Sequence, residues 1–175
     1  MKHARELFWH YWLPVLVMLT MIAFESTDSL SGDHTRAWLQ RLLLWFGIHL
    51  ARHQLTLLNM ALRKCGHVMA YGLLCLCWLM LLRGTHWLLH EYQRGLRGSI
   101  RMPRLWWRPE WAALAVFFTF LVASADELHQ MSIPSRNGSW WDVLLDTSAG
   151  VAVVFLVRAK AARNWRTRPP ELPRP

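Results

Sequence analysis

Residues 112–130 read AALAVFFTFLVASADELHQ: fourteen residues without a charge, then two carboxylates, an imidazole and an amide within five positions. Extended back to about residue 106, the apolar part approaches the roughly 17–25 residues that carry a helix across the hydrocarbon of a bilayer. A soluble domain of 175 residues seldom combines 54% hydrophobic residues with 20 Lys and Arg against 11 Asp and Glu, because so much apolar surface would need a large core. Lipid accepts that surface directly. The polar block at the end of the run then stands at the edge of the membrane, where ionisable groups are expensive and therefore informative.

Working outward, three more apolar segments match the first. They cover about 7–24, 64–83 and 140–157, and with 106–125 they predict an all-α, four-transmembrane-helix bundle. The 64–83 span has a short apolar centre, His67 to Leu82, entered through Arg63 and Lys64, and crosses only if its flanks are included. Pro14 in the first span is tolerable in a membrane helix. The first segment also has the basic start of a signal peptide, but its run is long and Ala23-Phe24-Glu25 lacks a small-x-small cleavage site, which favours a retained anchor. Twelve Trp fit a protein with two membrane–water boundaries.

Charge orients the bundle. Of the 20 Lys and Arg, fourteen fall before the first span, from Arg83 to Arg108, or from Arg158 onward. The other six are Arg36, Arg41, Arg52, Arg63, Lys64 and Arg136. The positive-inside rule therefore places both termini in the cytoplasm. The domain occupies 1–158, and 159–175 forms a basic, Pro-rich cytoplasmic tail. The basic residues interrupt apolar runs instead of lining one face, so nucleic acid is not the expected partner; the lipid bilayer is. Segment 36–62 mixes Trp38, Leu42, Leu43, Trp45, Phe46, Ile48 and Leu50 with Arg41, His49, Arg52 and His53. It predicts an amphipathic helix, interfacial or re-entrant, after span one. Cys65, Cys75 and Cys77 form no CxxC pair and read as reduced structural residues.

Four polar clusters flank the spans. Glu25 and Asp28 follow the first. Lys64, His67 and Tyr71 descend into the second at i, i+3 and i+7, although a Lys near a helix end also snorkels in ordinary spans. Asp126, Glu127, His129 and Gln130 close the third, with both carboxylates at a helix C-terminus where the dipole disfavours them; Arg136, Lys64 or a bound metal is expected to compensate them. Ser139, Asp142 and Asp146 open the fourth. Asp142 suits a helix N-terminus, whereas Asp146 is a turn deeper and is expected to face the bundle interior. Ser148, Ala149, Gly150 and Ala152 permit close helix approach. All four clusters fall at the same membrane face, the external one by the charge count.

The pattern Glu25-Ser26, Lys64-x-x-His67-x-x-x-Tyr71, Asp126-Glu127-x-His129-Gln130, Arg136-x-x-Ser139-x-x-Asp142 and Gly150 resembles the VanZ-like family of small bacterial membrane proteins over roughly residues 10–157. The resemblance implies a multi-span helical domain and, for the founding members, low-level resistance to the glycopeptide teicoplanin. Departures are Ser132 where relatives often have an aromatic residue, Asp146 where Asn is common, and no second Gly after Gly150.

Three functions fit these residues. In the first, an external polar pocket of Glu25, Lys64, His67, Tyr71, Gln130, Arg136, Asp142 and Asp146 binds or modifies an envelope component, a lipid-linked precursor or a glycopeptide. In the second, a membrane enzyme uses Asp126, Glu127 and His129 as acid/base groups on a lipid-linked phosphate substrate. In the third, the charges pair only to fix the bundle. No HExxH-type spacing points to a metal, and no nucleotide or phosphate-loop motif identifies a cofactor. The first reading, taken as binding, is preferred because it follows the resemblance without asserting a reaction.

Overall fold

The computed structural model describes Arg5 and residues 7–27, 32–93, 108–133 and 138–166. Among these every regular element is a helix: α1 (Phe8–Glu25), α2 (Gly32–Trp45), α3 (Arg52–Gln93), α4 (Pro109–Met131) and α5 (Trp140–Arg166). Four of them, all but α2, are long and apolar enough to cross a membrane. Their outer faces carry exposed Phe24, Met69, Phe117, Leu144, Phe155 and Leu156, an inside-out distribution that only lipid makes favourable.

Local chemistry shapes each element. The first turn of α1, Phe8–Trp12, is wound as a π-helix, with Leu13 N–H bonded to Phe8 O. Pro14 follows at once; its missing N–H and bulky ring disturb the regular ladder, and a widened turn absorbs the disturbance. α2 ends in a Schellman motif. Gly47 adopts φ +72, Ile48 N–H reaches Leu43 O at 2.9 Å, and Gly47 N–H reaches Leu44 O at 3.0 Å. α3 starts after Ala51, whose N–H is taken by Gln54 Oε1 at 3.1 Å, half of a capping box.

Segment 36–62 therefore divides. Most of it is α2 and the Gly47 turn, while residues 52–62 are the opening turns of α3. With 42 residues α3 is about 63 Å long, twice the hydrocarbon thickness. It is the central helix, packed against α5, α4, α1 and α2. α2 is tied to its projecting end, where Asn59 Nδ2 donates to Gly32 O at 3.0 Å.

The core lies in two layers along α3. One joins Ile22, Tyr71, Leu74, Ala123 and Val143; the other joins Cys75, Leu79, Trp111 and Ala115. Gly150 lets α5 close on α3 and α4: a Cβ there would lie 3.2 Å from Cys75 Sγ and 3.4 Å from Thr119 Cγ2. At the lower end Arg108 lies over the Trp111 ring at 5.6 Å, and at the other Trp140 and Trp141 are exposed, as aromatic residues at two interfaces would be.

Candidate functional site

The upper core layer is roofed by polar side chains from all four spanning helices. α3 supplies Lys64, His67 and Tyr71 on one face, and the rings of His67 and Tyr71 stack with centroids 6.0 Å apart. Tyr71 is fully buried and donates its hydroxyl to Asp126 Oδ2 at 2.8 Å. Gln130, one turn further along α4, donates to the same oxygen at 3.1 Å. Asp126 is thus held by two neutral donors.

Its neighbour Glu127 is buried as well, and its Oε2 accepts the Ser139 N–H at 2.7 Å. That bond pins the chain ahead of α5 onto the end of α4. Gly138 makes the approach possible, since a Cβ there would come within 2.6 Å of Glu127 O. His129 points elsewhere: its Nδ1 lies 3.0 Å from Ser26 Oγ, joining the ends of α1 and α4.

His67 is the centre of the cluster. Its Nδ1 hydrogen-bonds with Asp146 Oδ2 at 3.2 Å, and its Nε2 lies 3.9 Å from Glu25 Oε1. Asp146 has no exposed surface, in keeping with its depth on α5. Its other oxygen, Oδ1, has no hydrogen-bond partner among the described residues. One turn above, Asp142 meets Lys64 at 3.7 Å, with the Lys64 side chain 61% exposed.

These groups surround a cavity of about 320 Å³ lined by Arg63, Lys64, His67, Glu127, Gln130, Asp142 and Asp146, with Gly32, Met60 and Leu145 completing the wall. The structure therefore brings Glu25, Lys64, His67, Tyr71, Asp126, Glu127, Gln130, Asp142 and Asp146 to one end of the bundle. Asp126 and His129 belong to the surrounding network and not to the cavity wall. Asp28 and Arg136 lie outside the described residues. Arg63, Met60, Leu145 and Gly32 were not singled out as site residues from the sequence; Arg63 lies four residues before His67 and Met60 four before Lys64, a helical spacing that was the available signal for those two. No group of three or more His, Cys, Asp or Glu among the described residues is arranged to hold a metal.

Fold and site together define a small polytopic helical membrane protein whose spans bring their buried carboxylates to one end of the bundle, beside His67 and Lys64. Such an arrangement is a class and not yet a family. The chain belongs to the VanZ/LLP1 family, whose model matches residues 9–161. No curated protein and no solved structure matches it.

Proposed function

We propose that the polar cavity is a binding site for a cell-envelope component or a glycopeptide-type antibiotic, at the external face of a bacterial cytoplasmic membrane. The observation that carries this reading is the convergence of three spanning helices on one cavity whose wall holds cations, carboxylates and an imidazole together. Ionisable groups at membrane depth are retained where they serve a ligand, a proton path or a partner. The charge distribution along the chain supports cytoplasmic termini, which sets the cavity outside.

Binding is favoured over catalysis by what the acid/base candidates already do. Asp126 is occupied by Tyr71 and Gln130, Glu127 holds a backbone N–H, and His129 is engaged with Ser26. The groups left facing the cavity, Lys64 and Asp146 above all, are suited to gripping a charged headgroup. The exposed Trp38, Trp45 and Phe46 of α2 suit a helix lying in the interface, and Gly32 at its start belongs to the cavity wall.

The test is a set of single variants, Lys64→Ala, Asp146→Asn and Glu127→Gln, expressed in a teicoplanin-susceptible bacterium. Membrane abundance and teicoplanin tolerance are measured side by side. Tolerance conferred by the native chain and lost in the Lys64 and Asp146 variants at normal abundance supports a working pocket. Tolerance that tracks abundance alone assigns the charges to bundle stability instead.

A further inference from the structure

We infer that the cavity takes a lipid whose headgroup joins a primary ammonium to a phosphate, the ammonium donating to Asp146 and the phosphate meeting Lys64. The inference rests on the cavity being a ligand site and names what that site recognises. Its basis is one unmet acceptor. Three buried polar atoms lack a hydrogen-bond partner among the described residues: Trp78 Nε1, Ser124 Oγ and Asp146 Oδ1. Of their residues only Asp146 lines the cavity, and it is wholly buried. A buried carboxylate oxygen without a donor is strongly unfavourable, so a donor from outside the chain has a reason to sit there.

Charge points the same way. The cavity wall holds Glu127, Asp142 and Asp146 against Arg63, Lys64 and His67, and Asp126 and Glu25 stand directly behind it. A cationic donor therefore suits the inner end better than a hydroxyl. The outer end has the opposite character. Lys64 is well exposed and its pairing with Asp142 is loose at 3.7 Å, which leaves it able to turn to an anion. Asp146 lies one helical turn deeper than Asp142, a rise of about 6 Å. The two-carbon spacer of an ethanolamine headgroup bridges a step of that order. Met60 and Leu145 give the cavity an apolar wall for the part of the ligand beyond the phosphate.

The test uses the full chain in a mild detergent and titrates dihexanoyl phosphatidylethanolamine, dihexanoyl phosphatidylcholine and dihexanoyl phosphatidylglycerol by microscale thermophoresis. All three share the phosphate. Only the first has N–H donors on a cation; the choline nitrogen has none, and the glycerol offers uncharged hydroxyls. The ethanolamine lipid is expected to bind at least about tenfold tighter than either of the others, the scale of one charge-assisted hydrogen bond. Asp146→Asn is expected to bring the ethanolamine-to-choline ratio within about twofold, while Lys64→Gln weakens all three and keeps the ratio. Equal affinities in the native chain overturn the inference without relying on any variant, and so does a ratio that survives Asp146→Asn. O-phosphoethanolamine alone distinguishes the source: binding as tight as the lipid's makes the free headgroup compound the ligand and overturns the lipid assignment. If all three lipids bind alike and Lys64→Gln weakens each, the ammonium assignment fails while the cavity stands as a headgroup site. If Lys64→Gln weakens none, the cavity reading fails with it.

Discussion

Tyr71→Phe deletes one hydroxyl while leaving the ring in place against His67 and in the layer with Ile22, Leu74, Ala123 and Val143. The donor lost is the one that reaches Asp126 Oδ2 at 2.8 Å. Gln130 Nε2 still donates to that oxygen at 3.1 Å, so the acceptor is not orphaned. The expected cost is that of one net hydrogen bond, about 1 kcal/mol, or nearer 0.6 if the average for membrane proteins applies. Gln130→Leu has the same logic with Tyr71 as the surviving donor, and the same expected cost. The double variant is different in kind. Asp126 Oδ2 then has no donor among the described residues, and leaving a buried acceptor unmet adds about 1–3 kcal/mol to the two hydrogen bonds lost. A loss of about 3–5 kcal/mol is expected, against about 2 if the two substitutions merely added. Reversible unfolding of the purified protein by SDS titration, followed by helical circular dichroism, closes the double-mutant cycle. An interaction energy under about 0.5 kcal/mol would mean additive sites and would refute the shared-acceptor geometry.

Three further outcomes follow from single contacts. Gly138→Ala is expected to lower stability by about 2 kcal/mol, because the new Cβ would meet the immovable carbonyl of Glu127 as well as the movable Met131 side chain; an unchanged unfolding midpoint in detergent would contradict the close turn. Lys64→Ala is expected to change stability by less than about 0.5 kcal/mol, its ion pair being long and largely exposed, so a large drop in the same SDS titration would show Lys64 to be a structural residue. Trp45→Phe is expected to reduce fluorescence quenching by lipids brominated close to the headgroup, since this indole is 80% exposed on α2; quenching that does not change places α2 away from the interface.

The spans were legible because hydropathy is a local property: an apolar run needs lipid wherever its neighbours lie. The inward direction of Asp146 was legible for a related reason, since a carboxylate that deep has no route to water. The extent of α3 was not. Arg52, His53, Arg63 and Lys64 suggested a segment separate from the span, but a helix backbone closes its own hydrogen bonds and continues past the hydrocarbon without regard to charge. The signals that would have located the break are small and specific, Gly47 for the left-handed end of α2 and Gln54 for the start of α3. Pairings within the site were hidden for another reason. Asp126, His129 and Gln130 share a face by spacing, yet Asp126 and Gln130 bond to each other while His129 turns to Ser26 on α1. Helix rotation, which decides this, depends on packing against partners distant in sequence.

The way the carboxylates are held also bears on why so many are present. If fixing the bundle were their task, each acid at this end would be expected to meet a cation, because a buried ion pair is the arrangement that specifies register. Asp126 and Glu127 instead accept from neutral donors, a phenol, an amide and a backbone N–H, and the phenol and backbone bonds already link α3 to α4 and α4 to the start of α5. Asp142 shares an exposed lysine at long range, and Asp146 has one oxygen on His67 and the other on nothing among the described residues. The neutral bonds already do the joining. The acid that is wholly buried is the one left incompletely satisfied, and it lies in the cavity wall. A half-met acid is poor cement, and that asymmetry supports the proposed ligand site over register.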